Sequence, residues 1–141
     1  MKVFALLLLM ISLSSIADLR MVYQSQDEDK VLNALKELEA MTMLTTDQKC
    51  YKAVFLCMKA EYLTWPMEKL SAFKKGYADL NSVIDSNAHN AEYYYHRYMI
   101  EKHSPSWLLD VNHMPEDKAF VKANMKSSHP MYSFVTKTID K

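Results

Sequence analysis

Hydrophobic residues recur at intervals of three and four positions along most of this chain, and the clearest run lies between Leu70 and Ile84. Within that run Phe73 and Leu80 share one face of a helix, because these intervals match the periodicity of an α-helix. The polar run at positions 85–90 interrupts the pattern, which resumes in the following segment. The sequence therefore predicts two amphipathic helices joined by a tight turn.

Similar spacing and helix-start signals divide the rest of the chain into further helices. Ser25 with Glu28, and Thr45 with Gln48, have the spacing of capping boxes, and Pro66 suits the first turn of a helix. The predicted helices cover positions 18–24, 26–41, 46–63, 66–85, 90–102, 115–125 and a short segment after 130. Since no segment alternates like a strand, we predict an all-α array of about five to six helices in antiparallel pairs.

Residues 1–17 have the three parts of a secretory signal peptide. Lys2 supplies a positive start, positions 3–11 are apolar, and small residues precede the end at Ala17. We predict cleavage after Ala17, export to the periplasm or out of the cell, and a single helical domain at 18–141. The apolar run is too short to span a bilayer, so we expect no stable membrane insertion after cleavage. A buried N-terminal helix and a retained membrane anchor are the alternatives.

Composition narrows the fold class and the class of partner. The chain has 141 residues, enough for one domain, and its single glycine argues against barrels and sandwiches, which need many tight turns. Lysine plus arginine number 17 and aspartate plus glutamate also number 17, so we expect no nucleic-acid partner. Cys50 and Cys57 are too far apart on a helix to form a disulfide, which predicts buried free thiols.

The segment at 72–98 resembles the second half of a tetratricopeptide repeat. Gly76, Leu80 and Val83 supply one small and two apolar residues at the spacing of that repeat. The polar turn at 87–92 then opens the next helix, as it does in the repeat. This resemblance implies helices packed as successive antiparallel pairs.

Most of the chain after position 50 is similar to an uncharacterised family of small exported bacterial proteins with tetratricopeptide-like helices. The likeness follows the order of four segments, YKAVFLCMKAEY, KLSAFKKG, NAEYYYHRYMIEKHSP and EDKAFVKANM. It implies a right-handed tetratricopeptide-like array. The chain departs from the repeat at Ala88, where proline is usual, and at Tyr98, where a small residue is usual. The family brings no known activity, so the likeness leaves the function open.

The densest group of aromatic and cationic side chains lies in the segment EYYYHR. We take Tyr93, Arg97, His96 and Glu92 as candidate binding residues, because tyrosine and arginine are enriched at interface hot spots and helical arrays present them on concave surfaces. The alternative is core packing with Arg97 paired to a carboxylate. Asp117 is the better candidate partner, since Glu92 lies five residues upstream on the same helix. The pattern predicts a module of the cell envelope that binds a protein or peptide.

Three histidines offer an alternative function, a small histidine-dependent metal-binding protein or enzyme. His89, His96 and His103 are each seven residues apart, whereas metal ligands on one helix usually lie three or four apart. The sequence contains no nucleophile motif, no glycine-rich phosphate loop and no redox cysteine pair. We therefore predict no catalytic residues, no cofactor and no metal site.

Overall fold

The structure, a computed structural model, describes residues 15–141. Its α-helices are α1 (Ile16–Ser25), α2 (Glu28–Ala40), α3 (Thr46–Tyr62), α4 (Pro66–Ser86), α5 (Ala91–Lys102), α6 (Met114–Asn124) and α7 (Tyr132–Thr138), with a 3-10 turn at Ser106–Leu108. No strand occurs in this part of the chain, which confirms the all-α prediction, but its seven α-helices exceed the predicted five to six, because the short segments at both ends are also helical. None of these helices combines the length and apolarity that a membrane span requires. The predicted signal peptide falls largely on residues 1–14, which lie outside the described residues.

Side-chain caps explain where two of the helices begin. At α3 the predicted capping box is present: Thr45 Oγ1 accepts a hydrogen bond from the Gln48 backbone N–H, and Gln48 Oε1 accepts one from the Thr45 N–H. At α2 the predicted box starting at Ser25 is wrong, because α1 continues through Ser25. The cap of α2 is Asp27, whose carboxylate accepts from the Lys30 N–H at 3.0 Å.

Helices α3 and α4 pack very closely at Gly76. A Cβ atom placed on Gly76 would lie 2.8 Å from the Ala53 carbonyl oxygen and 2.8 Å from Cys57 Sγ. Both distances are shorter than ordinary van der Waals contact, so only glycine fits without a shift of the helices. Phe73 and Leu80, which the sequence placed on the inner face of α4, are buried on either side of this contact.

Helix α5 connects most of the other helices. It contacts α3, α4 and α6. It also reaches the C-terminal segment, because Tyr95 shares a hydrogen bond with Thr138 at 2.6 Å and Tyr98 donates one to the Ile139 carbonyl at 3.2 Å. The side chains of α5 that are buried against these neighbours include the charged residues Glu92, Arg97 and Glu101. Helix α5 therefore contains the candidate site residues.

The connector between α5 and α6 packs only in part as predicted. Leu108 and Leu109 contact the apolar cluster around Phe73, in agreement with the prediction that this loop lies against the helices. Trp107 was expected to do the same, but it points to solvent and is 78% exposed. Successive residues of a tight turn project in different directions, so the three large side chains cannot all face the helices.

Candidate functional site

Four ionisable side chains of α5 lie in the protein interior. Glu92, His96, Arg97 and Glu101 are each at most 7% exposed. Burying a charged group is costly unless a partner of opposite charge or several hydrogen bonds compensate for the lost water. The hydrogen-bond and ion-pair partners of these four residues therefore show whether the residues stabilise the helix packing or remain available to react with a ligand.

Glu92 is bonded on both carboxylate oxygens. Arg20 of α1 donates to it twice, from Nε and from Nη2, each at 2.9 Å, and the Tyr51 hydroxyl donates at 2.7 Å. Burial by itself would raise the pKa of Glu92, but the hydrogen bonds from Arg20 and Tyr51 hold that pKa below its usual range. The carboxylate is thus charged and fully engaged, and it joins α1, α3 and α5.

Arg97 forms the ion pair that the sequence predicts. Its Nε and Nη2 atoms donate to the two carboxylate oxygens of Asp117 at 2.7 Å each, and its Nη1 donates to Asn81 Oδ1 at 3.0 Å. The guanidinium carbon also lies 5.5 Å from the centre of the Tyr94 ring. This bidentate ion pair links α5 to α6, and the hydrogen bond to Asn81 links α5 to α4 as well.

Glu101 joins the end of α5 to the start of α6. The Tyr77 hydroxyl donates to its Oε1 at 2.6 Å, and the His113 backbone N–H donates to its Oε2 at 3.0 Å. The His113 ring nitrogen Nδ1 lies 2.6 Å from Oε1. Burial of the Tyr77 hydroxyl is the main cause that raises the pKa of Tyr77, and its hydrogen bond to Glu101 raises that pKa further. Sequence reasoning did not single out Glu101, because nothing in its local pattern distinguishes a buried glutamate from a solvated one.

His96 is buried with both ring nitrogens lacking a hydrogen-bond partner among the described residues. Its ring lies 4.5 Å from the Tyr23 ring and 5.0 Å from the Tyr51 ring, centre to centre, in edge-to-face geometry. Burial lowers its pKa to about 4, so the imidazole is neutral near pH 7. His89 and His103 are exposed. In the part of the chain that the structure describes, no group of three potential ligands is arranged to hold a metal ion.

The four candidate binding residues are therefore inside the protein. Tyr93 donates to Asp47 at 2.5 Å, Glu92 and Arg97 are in the ion pairs above, and His96 lies among aromatic rings. Direct contact with a partner would require this part of α5 to become exposed, so their role in binding stays a prediction. Their observed role is to hold α5 against its neighbours.

Both cysteines are buried free thiols, as predicted. Cys50 and Cys57 lie on α3 and form no disulfide. Burial raises the pKa of each thiol, which keeps both protonated and unreactive near neutral pH. Neither thiol is exposed enough to act as a nucleophile on a ligand at the surface.

A groove that sequence reasoning missed lies at one end of the helices; its lining mixes polar and apolar residues, and we call it the polar groove after its amide, imidazole and ammonium side chains. It consists of two open depressions, of about 640 and 390 Å³, that share Ser86 and Asn87 at the C-terminal end of α4. The larger depression separates the turn before α5 from the loop between α6 and α7, and the smaller lies between α3 and α4. The larger is lined by His89, Asn90, Asn124, Lys126 and His129 among others, and the smaller by Lys49, Lys52 and Asp79 among others.

His129 links this groove to the buried network. Its Nδ1 accepts a hydrogen bond from the Met131 backbone N–H at 3.0 Å, which places the proton of the neutral ring on Nε2. That Nε2 lies 3.9 Å from Glu92 Oε1, too far for a direct hydrogen bond. Burial lowers the pKa of His129, so the ring acts as a neutral donor at the wall of the groove near pH 7.

Comparisons of this chain with protein-family models, with curated proteins and with solved structures find no match.

Proposed function

We propose that this chain is an exported, tetratricopeptide-like helical protein that binds a protein or peptide and catalyses no reaction. The observation that carries the proposal is the polar groove, an open concave surface crossing the C-terminal end of α4. Concave surfaces lined by side chains with fixed positions are where helical arrays hold extended ligands. The groove is wide open, which suits a chain segment better than a small molecule that must be enclosed.

The packing of the helices supports the tetratricopeptide-like part of the proposal. The segment that resembles the repeat contains Gly76, and α3 and α4 approach each other so closely there that no larger residue fits. A small residue at the contact between paired helices is what the repeat pattern requires at this position.

The buried ionisable groups support binding over catalysis. A catalytic acid or base must reach the proton that it transfers. Glu92, Arg97 and Glu101 instead form hydrogen bonds with other side chains of the interior. None of the three lines the polar groove. This arrangement fits a framework that holds α5 in place beneath a binding surface.

The test is affinity capture from cell-envelope extract with a groove-blocking variant. The protein is recovered in its exported form and used as bait. Ala88→Trp puts a large ring on an exposed turn residue of the larger depression, and Ala119→Trp puts the same ring on an exposed residue of α6 outside the groove. We expect wild type and Ala119→Trp to retain the same specific partner and Ala88→Trp to lose it.

Two results would contradict the proposal. A partner retained equally by Ala88→Trp and wild type would place the binding surface elsewhere. A chain that never leaves the cytoplasm, measured by fractionation of cells expressing the full sequence, would remove the export part. Circular dichroism of each variant confirms that the helices persist.

A further inference from the structure

We infer that the polar groove takes an acidic peptide segment, which names the class of partner and rests on the proposed binding function. The inference comes from which charges line the groove and from which of those charges are already paired. A chain with equal numbers of acidic and basic side chains has no overall field, so a local excess of one sign is informative.

Three lysines line the groove without ion-pair partners. Lys49 and Lys52 lie on the smaller depression and Lys126 on the larger, and in the described part of the chain none of the three forms a salt bridge. The one acidic residue of the lining, Asp79, is bonded by Lys75 at 3.2 Å. Among the described residues of the lining, the groove therefore offers three unpaired ammonium groups against one carboxylate, which already bonds Lys75.

The buried carboxylate nearest the groove does not repel an acidic ligand. Glu92 lies behind His129, and both of its oxygens are occupied by the Arg20 guanidinium. The His129 ring lines the groove, and its Nε2 atom lies on the side of Glu92, 3.9 Å from Oε1. The negative charge of Glu92 is thus compensated by Arg20 within the interior.

Side-chain amides in the lining suit a peptide backbone. Asn90 uses its oxygen to cap α5 by accepting from the Glu92 N–H, and its NH₂ group donates no hydrogen bond within residues 15–141. Asn124 uses its NH₂ group on the Phe120 carbonyl, and its oxygen accepts no bond within that same range. One free donor and one free acceptor on opposite elements match the C=O and N–H groups of an extended chain.

The same lining disfavours nucleic acid. Single-stranded nucleic acids are held by aromatic side chains on which bases stack, and by arginine. Among residues 15–141, no tyrosine, tryptophan, phenylalanine or arginine lines either depression. The cations here are lysines, which attract carboxylates as point charges without the planar fork that favours phosphate.

The experiment uses fluorescence anisotropy with three short labelled peptides of one length. One carries glutamate at alternate positions, one carries glutamine at those positions, and one carries lysine. Wild type, Lys49→Glu, Lys126→Glu and the double variant are titrated against each. Lys36→Glu, which reverses an exposed lysine on α2 away from the groove, is the matched control.

We expect wild type and Lys36→Glu to bind the glutamate peptide, and each groove reversal to weaken that binding roughly fivefold. The binding should also weaken with added salt, since the charges are exposed. The glutamine and lysine peptides should bind more weakly than the glutamate peptide to wild type.

Four results would overturn the inference. They are equal binding of glutamate and glutamine peptides, no loss in the double variant, tighter binding of a labelled oligonucleotide than of any peptide, and no binding of the glutamate peptide to wild type. If the envelope partner is still lost in Ala88→Trp but retained in the double lysine variant, the proposed function stands and only the acidic class of partner is wrong.

Discussion

Arg97 is held by both oxygens of Asp117 and by the amide oxygen of Asn81, inside the contact between α5 and α6. Removing one member of a buried pair leaves the other charge without compensation. We expect Arg97→Ala to lower the free energy of unfolding by about 3–5 kcal/mol in urea melts. Arg97→Lys should recover little of this loss, because an ammonium group cannot make the two parallel bonds.

A matched control is Lys74→Ala, which removes an exposed cation from α4 and should change stability by less than about 0.5 kcal/mol. If Arg97→Ala melted like wild type but failed to retain an envelope partner, Arg97 would be a recognition residue, as the sequence pattern first suggested. If Arg97→Ala instead unfolded the protein, Arg97 would be a residue that stabilises the fold.

His96 should make the protein less stable in acid. Its pKa is about 4 in the folded protein, where it lies against Tyr23 and Tyr51, and near 6.5 in an unfolded chain. Between these values the unfolded chain binds the proton and the folded protein does not, so stability falls as the pH drops from about 6.5 towards 4. The loss is roughly 3 kcal/mol at the low end. Glu92, with its lowered pKa, adds a further loss as its carboxylate protonates.

The measurement is the free energy of unfolding by urea at about pH 7 and about pH 4.5. His96→Phe keeps an aromatic ring in a site that offers no hydrogen bond, and we expect it to remove most of the pH dependence in this window. His103→Phe, at an exposed position of the same segment, is the control and should leave the pH dependence unchanged. An unaltered slope in His96→Phe would show that other groups cause the acid sensitivity.

Gly76 sets the distance between α3 and α4. Alanine is the better helix former by about 1 kcal/mol, so on propensity alone Gly76→Ala would stabilise the protein. The added Cβ would meet the Ala53 backbone oxygen, which cannot rotate away. We expect the clash to prevail and to cost about 1–3 kcal/mol in thermal or urea melts. Ser71→Ala, at an exposed position of the same helix, should be neutral or slightly stabilising, and similar behaviour of the two variants would disprove the close contact.

At the level of elements, the helices were predictable and their buried charges were not. Apolar spacing and Pro66 predicted α4 to within one residue, and the Thr45 cap marked the start of α3 correctly. Spacing alone could not tell that Glu101 is buried, because that depends on Tyr77 and His113 from other elements. The pairing of Arg97 with Asp117 was predictable only because a guanidinium among aromatic residues requires a partner.

The polar groove shows the same limit at a larger scale. The polar run at 85–90 predicted a turn, and residues 87–90 form one, while Asp85 and Ser86 still belong to α4. That this turn faces the loop after α6, and that Lys126 therefore comes near Ser86, depends on how α4, α5 and α6 pack. No periodic pattern along the chain carries that information, since the two sides of the groove are separated by an entire helix pair.

At the scale of the whole molecule, the proposed export would set where the mature chain begins. We propose cleavage after Ala17, so that intact mass spectrometry of the exported protein gives residues 18–141. Ser15 caps α1 by accepting from the Asp18 N–H at 3.2 Å, and cleavage would remove this cap. A form retaining Ser15 should be about 1 kcal/mol more stable than one starting at Asp18. An exported protein whose mass still includes Met1 would contradict the proposed processing.

The bond between Arg20 and Glu92 joins residues 72 positions apart in the sequence. In the export that we propose, which proceeds from the N-terminus, Arg20 of α1 would have no Glu92 to bond until α5 had also emerged. A short helix without its tertiary contacts is marginal in water, so α1 is largely unwound in this interval. The bond after Ala17 lies in the first turn of that helix and is open to a peptidase only while the helix is unwound. The order of translocation would therefore confine the proposed cleavage after Ala17 to the interval before α1 docks onto Glu92.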